Sequence, residues 1–163
     1  MLSRALLPVV LLALLSVQAE AAPAAPGFRV RLLDGKTSLD SRNLIGKKVL
    51  VLRFQASWCR ACVKESPALG QLAARYHARG VEVLAIHVQD TPVDVQRFVR
   101  EQKVAYQVAL DPKLSVGNRF GFRGTPYTVV VDKRGEMVAR IHGESGVARL
   151  PRILDGLVGK SAK

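Results

Sequence analysis

The sequence predicts an α/β domain: a mixed central sheet flanked by helices, parallel in part, with an N-terminal β-hairpin extension. Three observations predict it. Between residues 49 and 120, apolar strand-like runs alternate with segments of helical period. Two further runs, 127–131 and 137–142, flank Lys133-Arg134-Gly135, a hairpin signal that adds antiparallel strands to the sheet. An early pair, 28–33 and 37–39, flanks a second turn signal, Asp34-Gly35.

Phe28–Leu33 alternates apolar and basic side chains, as a half-buried strand does, and Thr37–Leu39 can return beside it. Val49–Phe54 is a nearly continuous apolar run, suited to a central strand covered on both faces. From Cys59 to about Arg79, Ala68, Leu69, Leu72, Ala73 and Tyr76 recur at helical spacing, and Gly80 supplies the stop. Val81–Val88 reads as a strand and Val93–Gln102 as a helix carried by Val95, Phe98 and Val99. Val108–Leu110 is a short strand ended by Asp111-Pro112, and Leu114–Phe120 a short helix. After the hairpin strands, Val147–Leu157 is the closing helix. Sites in such sheets lie at the carboxyl ends of strands. The residues just past Val49–Phe54 therefore carry the most weight.

The chain of 163 residues has room for one full core, and 48% hydrophobic with 23% charged residues is a globular balance. Its first segment stands apart. Arg4 precedes an apolar run over 6–17, and Ala19-Glu20-Ala21 places small residues where a signal peptidase needs them. This pattern predicts a signal peptide over 1–21, a short flexible linker over 22–27 and one domain over 28–163. The apolar run falls short of the ~20 residues that span a bilayer comfortably, which favours cleavage over an uncleaved anchor. Export in turn predicts a periplasmic or otherwise extracytoplasmic protein. The net charge is +12, with no aromatic-basic platform for nucleic acid. The charge suits acidic partner proteins or association with an anionic membrane surface, and equally a plain solvated exterior.

Trp58-Cys59-Arg60-Ala61-Cys62 contains both cysteines of the chain. A strand, then this motif, then a helix is the arrangement of a reversible dithiol. The loop between the cysteines is too small for its closure to add much stability. Zinc would need two more ligands, and His77, His87 and His142 are scattered singly. Cys59 falls at the start of the helix, where unpartnered amides and a positive dipole end favour a thiolate, and Arg60 adds a charge. Cys59 is therefore read as the attacking sulfur and Cys62, one turn deeper, as the resolving one. Glu65 lies a turn further on, placed to carry a proton during exchange or to sit as a solvated charge. Trp58 covers the pair or simply packs. Gly124-Thr125-Pro126, ahead of a strand, is the second feature.

With these residues, and with Pro67, Asp111-Pro112 and Val129-Val130-Val131-Asp132 followed by Gly135, the sequence resembles the thioredoxin superfamily. It is most similar to the exported TlpA/ResA/CcmG-like thiol-disulfide oxidoreductases. The resemblance covers about residues 28–158. It implies a thioredoxin-like fold, a cis bond at Pro126 facing the disulfide, backbone hydrogen bonds from Thr125 to substrate, and Glu65 as the active-site acid. Two positions depart from the pattern. Ala61 stands where many relatives carry Pro. Arg53 stands in the central strand where relatives carry Asp or Asn, free to snorkel, to pair with Glu65 or to face the thiolates.

The resemblance implies a thioredoxin-like enzyme without a cofactor that reduces disulfides in exported proteins, with cytochrome c maturation as a candidate pathway. Electrons would come from a membrane thiol-reducing protein of the CcdA/DsbD type. An oxidase or isomerase on the same fold is the alternative, decided by potential. A copper chaperone using Cys59, Cys62 and His142 is a rival from another class. A peroxidase is a third reading, and Val51 and Gln55–Ser57 lack the Pro it would carry.

Overall fold

The computed structural model describes residues 21–159, so the segment read as a signal peptide lies, but for residue 21, outside the described residues. The elements are β1 (Arg29–Arg31), β2 (Ser38–Asp40), β3 (Val49–Gln55), α1 (Arg60–His77), β4 (Val81–Val88), α2 (Pro92–Glu101), β5 (Gln107–Asp111), β6 (Tyr127–Val131), β7 (Met137–His142) and α3 (Gly146–Val158). Five strands form the central sheet in the order β5-β4-β3-β6-β7, and β1 pairs with β2 as a separate hairpin. The pairs β3–β4 and β4–β5 are parallel, and β3–β6 and β6–β7 antiparallel. This is the expected mixed sheet with its N-terminal hairpin. α1 runs through Pro67 without a break.

Strand alternation sorts the central residues onto two faces. Leu50, Leu52, Phe54, Leu84, Ile86, Val88, Tyr127 and Val129 share one core with Phe28, Val30 and Leu39 of the N-terminal hairpin. Val49, Val51, Val81, Val83, Ala85 and Val130 share the other with Leu69, Leu72 and Tyr76 of α1 and Val147, Leu150 and Leu154 of α3. The register pairs Leu50 with Val131 and Phe54 with Tyr127. The β6–β7 turn therefore lies at the end of the sheet remote from Cys59.

Three local readings change. The helix expected over 114–120 is a 3₁₀ turn over Gly117–Phe120. The Asp111 carboxylate accepts from the amides of Ser115, Val116 and Gly117 at 2.7, 2.9 and 2.8 Å, and Leu114 turns left-handed at φ +56°. A side chain that draws in successive amides competes with helical bonding. A second 3₁₀ turn, Ser41–Leu44, was not foreseen; Asp40 caps it, accepting from the Arg42 amide at 3.1 Å. The linker 22–27 is docked rather than flexible. Ala25 N–H donates to the Gly135 carbonyl and Met137 N–H to that of Pro23, each at 2.8 Å. Leu33 N–H reaches Val108 O at the opposite edge, also at 2.8 Å. The N-terminal segment thus occupies sheet-edge groups that would otherwise be open.

Candidate active site

The strand β3 ends at Gln55, and Ala56–Trp58 carry the chain over the sheet edge to Cys59, the N-cap of α1. Cys59 and Cys62 form a disulfide with Cα atoms 5.2 Å apart. Cys59 Sγ accepts the amide of Cys62 at 3.2 Å, so the sulfur already occupies a place where helix-end amides point. Cys59 is 7% exposed and Cys62 1%, which matches the inner position expected for Cys62. Trp58 is 62% exposed; it stands out from the surface and is not packed into it.

Pro126 follows a cis peptide bond from Thr125, as the resemblance implies. The register places it beside the carboxyl end of β3, because Phe54 pairs with the next residue, Tyr127. Tyr127 is anchored by its hydroxyl on Phe120 O at 2.8 Å, and its ring stacks on His142 at 4.2 Å between centroids. Among the described residues no group of three or more His, Cys, Asp or Glu side chains is placed to hold a metal ion.

The sheet face under α1 changes character at this end. Val49 and Val51 are followed, on the same face, by Arg53 and Gln55, with Thr128 and His87 as their register partners. Arg53 is 1% exposed. It takes the second of the three courses open to it: Nη2 donates to Glu65 and Nη1 to Thr128 Oγ1 at 2.8 Å. Its Nε has no partner. Burial pushes the Arg53 guanidinium below its ordinary value, and the Glu65 carboxylate pulls it back. A cation so enclosed holds its place only because both carboxylate and hydroxyl face it. Gly146, at the start of α3, makes the room; a Cβ there would lie 2.6 Å from Thr128 Oγ1 and 2.9 Å from Arg53 Nη1. Arg53 thus joins α1, whose first turn and N-cap carry the cysteines, to β6, which directly follows Pro126.

Sequence reasoning placed Cys59, Cys62, Glu65, Trp58, Thr125 and Pro126 around this end of the sheet, and the fold gathers them there. It missed the polar set beneath: Gln55, Ser57, Ser66, His87, Asp90, Tyr106 and Thr128. A signal for part of it was available. Arg53 and Gln55 interrupt an apolar run at alternate positions, so both must face the same way.

Comparison with known proteins gives the family and the fold. Residues 22–140 match the AhpC/TSA family. The chain is 34% identical over 120 residues to the thiol-disulfide oxidoreductase ResA of Bacillus thuringiensis, covering 74% of this chain and 68% of that one. It is 30% identical over 139 residues to the thiol:disulfide interchange protein HelX of Rhodobacter capsulatus, covering 85% and 77%. Among solved structures, a thioredoxin family thiol:disulfide interchange protein of Chlorobium tepidum superposes with a TM-score of 0.77 at 26% identity, over 87% of this chain and 100% of its own.

Proposed function

The chain belongs to the AhpC/TSA family and is a thioredoxin-like thiol-disulfide oxidoreductase, and from that premise we propose that it reduces disulfides in exported proteins. The observation that carries this is the Cys59–Cys62 pair at the start of α1, beside the cis peptide before Pro126. In the reduced enzyme the Cys59 thiolate attacks a substrate disulfide. One substrate sulfur leaves as a thiolate, and a mixed disulfide forms on Cys59. Cys62 then loses its proton and attacks Cys59, releasing the second substrate thiol and closing the Cys59–Cys62 disulfide. Two electrons pass to the substrate, and a membrane thiol-reducing protein of the CcdA/DsbD type returns them.

Each remaining residue has a part in this scheme. The helix-end amides and Arg60 favour the Cys59 thiolate. Glu65, a turn beyond Cys62, is the acid nearest in sequence for the proton of the resolving step, while its ion pair with Arg53 fixes its direction. Exposed Trp58 meets the substrate, and the Thr125 backbone ahead of Pro126 bonds to the substrate chain. The N-terminal signal pattern supports work in the periplasm or another extracytoplasmic space. Among the described residues no helix is long and apolar enough to cross a membrane. The ResA and HelX likenesses support a disulfide-bearing protein as substrate, and the sequence resemblance adds cytochrome c maturation as a candidate pathway.

Trapping tests the roles. Cys62→Ser should accumulate mixed disulfides on Cys59, and Cys59→Ser should give none, as read by mass spectrometry of trapped adducts. Adducts on Cys62 in the Cys59→Ser protein, with none in its counterpart, would reverse the assignment.

A further inference from the structure

Beneath the cysteines runs a buried polar chain that the exchange scheme does not use. Asp90 is buried, and its carboxylate accepts from Ser57 N–H at 2.7 Å, from Ser57 Oγ–H at 2.7 Å and from His87 Nδ1 at 2.9 Å. On its other side His87 Nε2 meets Gln55 Nε2 at 2.9 Å. An amide nitrogen only donates, so His87 Nε2 carries the lone pair and Nδ1 the proton. The ring is therefore neutral and points its single N–H at Asp90. Burial, which pushes the His87 imidazole below its ordinary value, is consistent with that form. Beside Gln55 lies Tyr106, whose hydroxyl is 3.0 Å from Ser66 Oγ in α1. The hydrogen-bonded chain thus runs from Ser57, ahead of the cysteines, through Asp90 and His87 to Gln55 at the end of β3.

The backbone is bent to make this contact. Gln89, between the end of β4 and Asp90, is left-handed at φ +52°, a conformation uncommon for a residue with a side chain. That turn brings Asp90 back to the Ser57 amide. From Ser57 the hold passes on, because Cys59 N–H donates to Ala56 O at 3.2 Å and so closes the short turn that sets Cys59 at the N-cap.

We propose that Asp90, oriented by His87, is a positioning residue for the nucleophile, gripping the Ser57-Trp58 loop so that Cys59 Sγ stays on the helix-end amides. The proposal rests on Cys59 as the attacking sulfur. Two physical effects of Asp90 have opposite signs, which makes it testable. A grip lowers the Cys59 thiol pKa by holding the sulfur at the helix terminus. A bare carboxylate nearby would raise it by like charge. The other groups facing this chain are His87, Tyr106 and the Arg53–Glu65 pair; of these His87 is bonded to Asp90 itself, and Asp90→Asn keeps an acceptor for it.

The test is thiolate absorbance against pH, with disulfide exchange rates at neutral pH, on the reduced full-length protein and its variants. Asp90→Ala should raise the Cys59 titration midpoint by roughly one unit and slow exchange roughly tenfold. Asp90→Asn, which keeps an acceptor for the Ser57 amide without the charge, should stay close to the parent. Leu84→Ala, on the opposite face, should lower stability and leave the midpoint alone. A midpoint that falls in Asp90→Ala, or stays where it was, overturns the proposal. If Asp90→Ala does not fold, Ser57→Ala removes one of the two bonds to the loop and should move the midpoint up by a smaller amount; an unmoved midpoint there counts equally against it. Trapping on Cys59 in Cys62→Ser is independent of Asp90, so failure of this proposal and failure of the catalytic assignment are told apart.

Discussion

The two faces of the central sheet come from the same strands and differ in what they are asked to do. Toward the N-terminal hairpin, β3 presents Leu50, Leu52 and Phe54, and β4 presents Leu84, Ile86 and Val88, apolar from the Glu82–Lys48 ion pair at its start to the end beneath the cysteines. Toward α1 the same strands begin alike, with Val49, Val51, Val81 and Val83, and then turn polar at Arg53, Gln55 and His87. The change falls where the cysteines sit above. Apolar packing dominates the first face, with the Lys48–Glu82 ion pair at its far end. The second gives up apolar contact for a buried ion pair and a hydrogen-bonded chain, which contribute direction more than stability.

The largest effect expected from this difference concerns Arg53. Arg53→Ala leaves Glu65, 14% exposed, facing an empty buried site, and should destabilise by about 3–5 kcal/mol. Leu84→Ala on the other face should lose about 2–5 kcal/mol by cavity formation. The two losses differ in kind. Adding Glu65→Leu to Arg53→Met should recover much of the loss, since an apolar pair can replace a buried ionic one. Denaturant unfolding of the four-protein cycle checks this, and strictly additive losses would mean that the pair is not coupled.

A smaller effect compares two glycines of α3. Gly146→Ala pushes a methyl against Thr128 and Arg53 and should cost about 1–3 kcal/mol. Gly156 has nothing within 4 Å of its would-be Cβ, so Gly156→Ala should stabilise by about 0.5–1 kcal/mol. Thermal melts of both decide; equal shifts would remove the crowding that the buried guanidinium implies.

The smallest effect is a slope in pH. His87 is held neutral by burial, so its folded pKa lies below the ordinary 6.5. As pH falls through about 6.5, the unfolded chain takes up the proton first. Stability should then decline with falling pH from that point, by about 1.4 kcal/mol for each unit of depression. The aspartates held low by their hydrogen bonds, Asp34, Asp40 and Asp132, begin to act only below about pH 5 and leave the upper part of this window clear. His87→Gln should flatten the decline between about pH 6.5 and 4; an unchanged slope would place its cause elsewhere.

Much of this difference between faces could be read in advance, and the unread part has a physical pattern. The strands, α1 and the cysteine pair are local in sequence, marked by period and by a motif. Arg53 stood out in an apolar run, but its partners depend on how β6 and α1 pack, and Thr128 lies 75 residues away. Asp90 gave no signal because its contact depends on a left-handed Gln89, a turn usually announced by glycine. The docked linker misled for the reverse reason: Ala and Pro carry no strand pattern, and its order comes from the sheet edge it meets.

The reduction potential of the Cys59–Cys62 couple tests the central claim most directly. Equilibration with glutathione buffers, followed by Trp58 fluorescence, would measure it. Arg60 favours the thiolate of the reduced form and pushes the couple toward oxidising values. Arg53, paired with Glu65, adds little net charge to that push. A reductase with this site should show a potential below about −200 mV. A value near about −120 mV, that of a strong oxidant, would contradict the reductase and make the protein a thiol oxidase on the same fold.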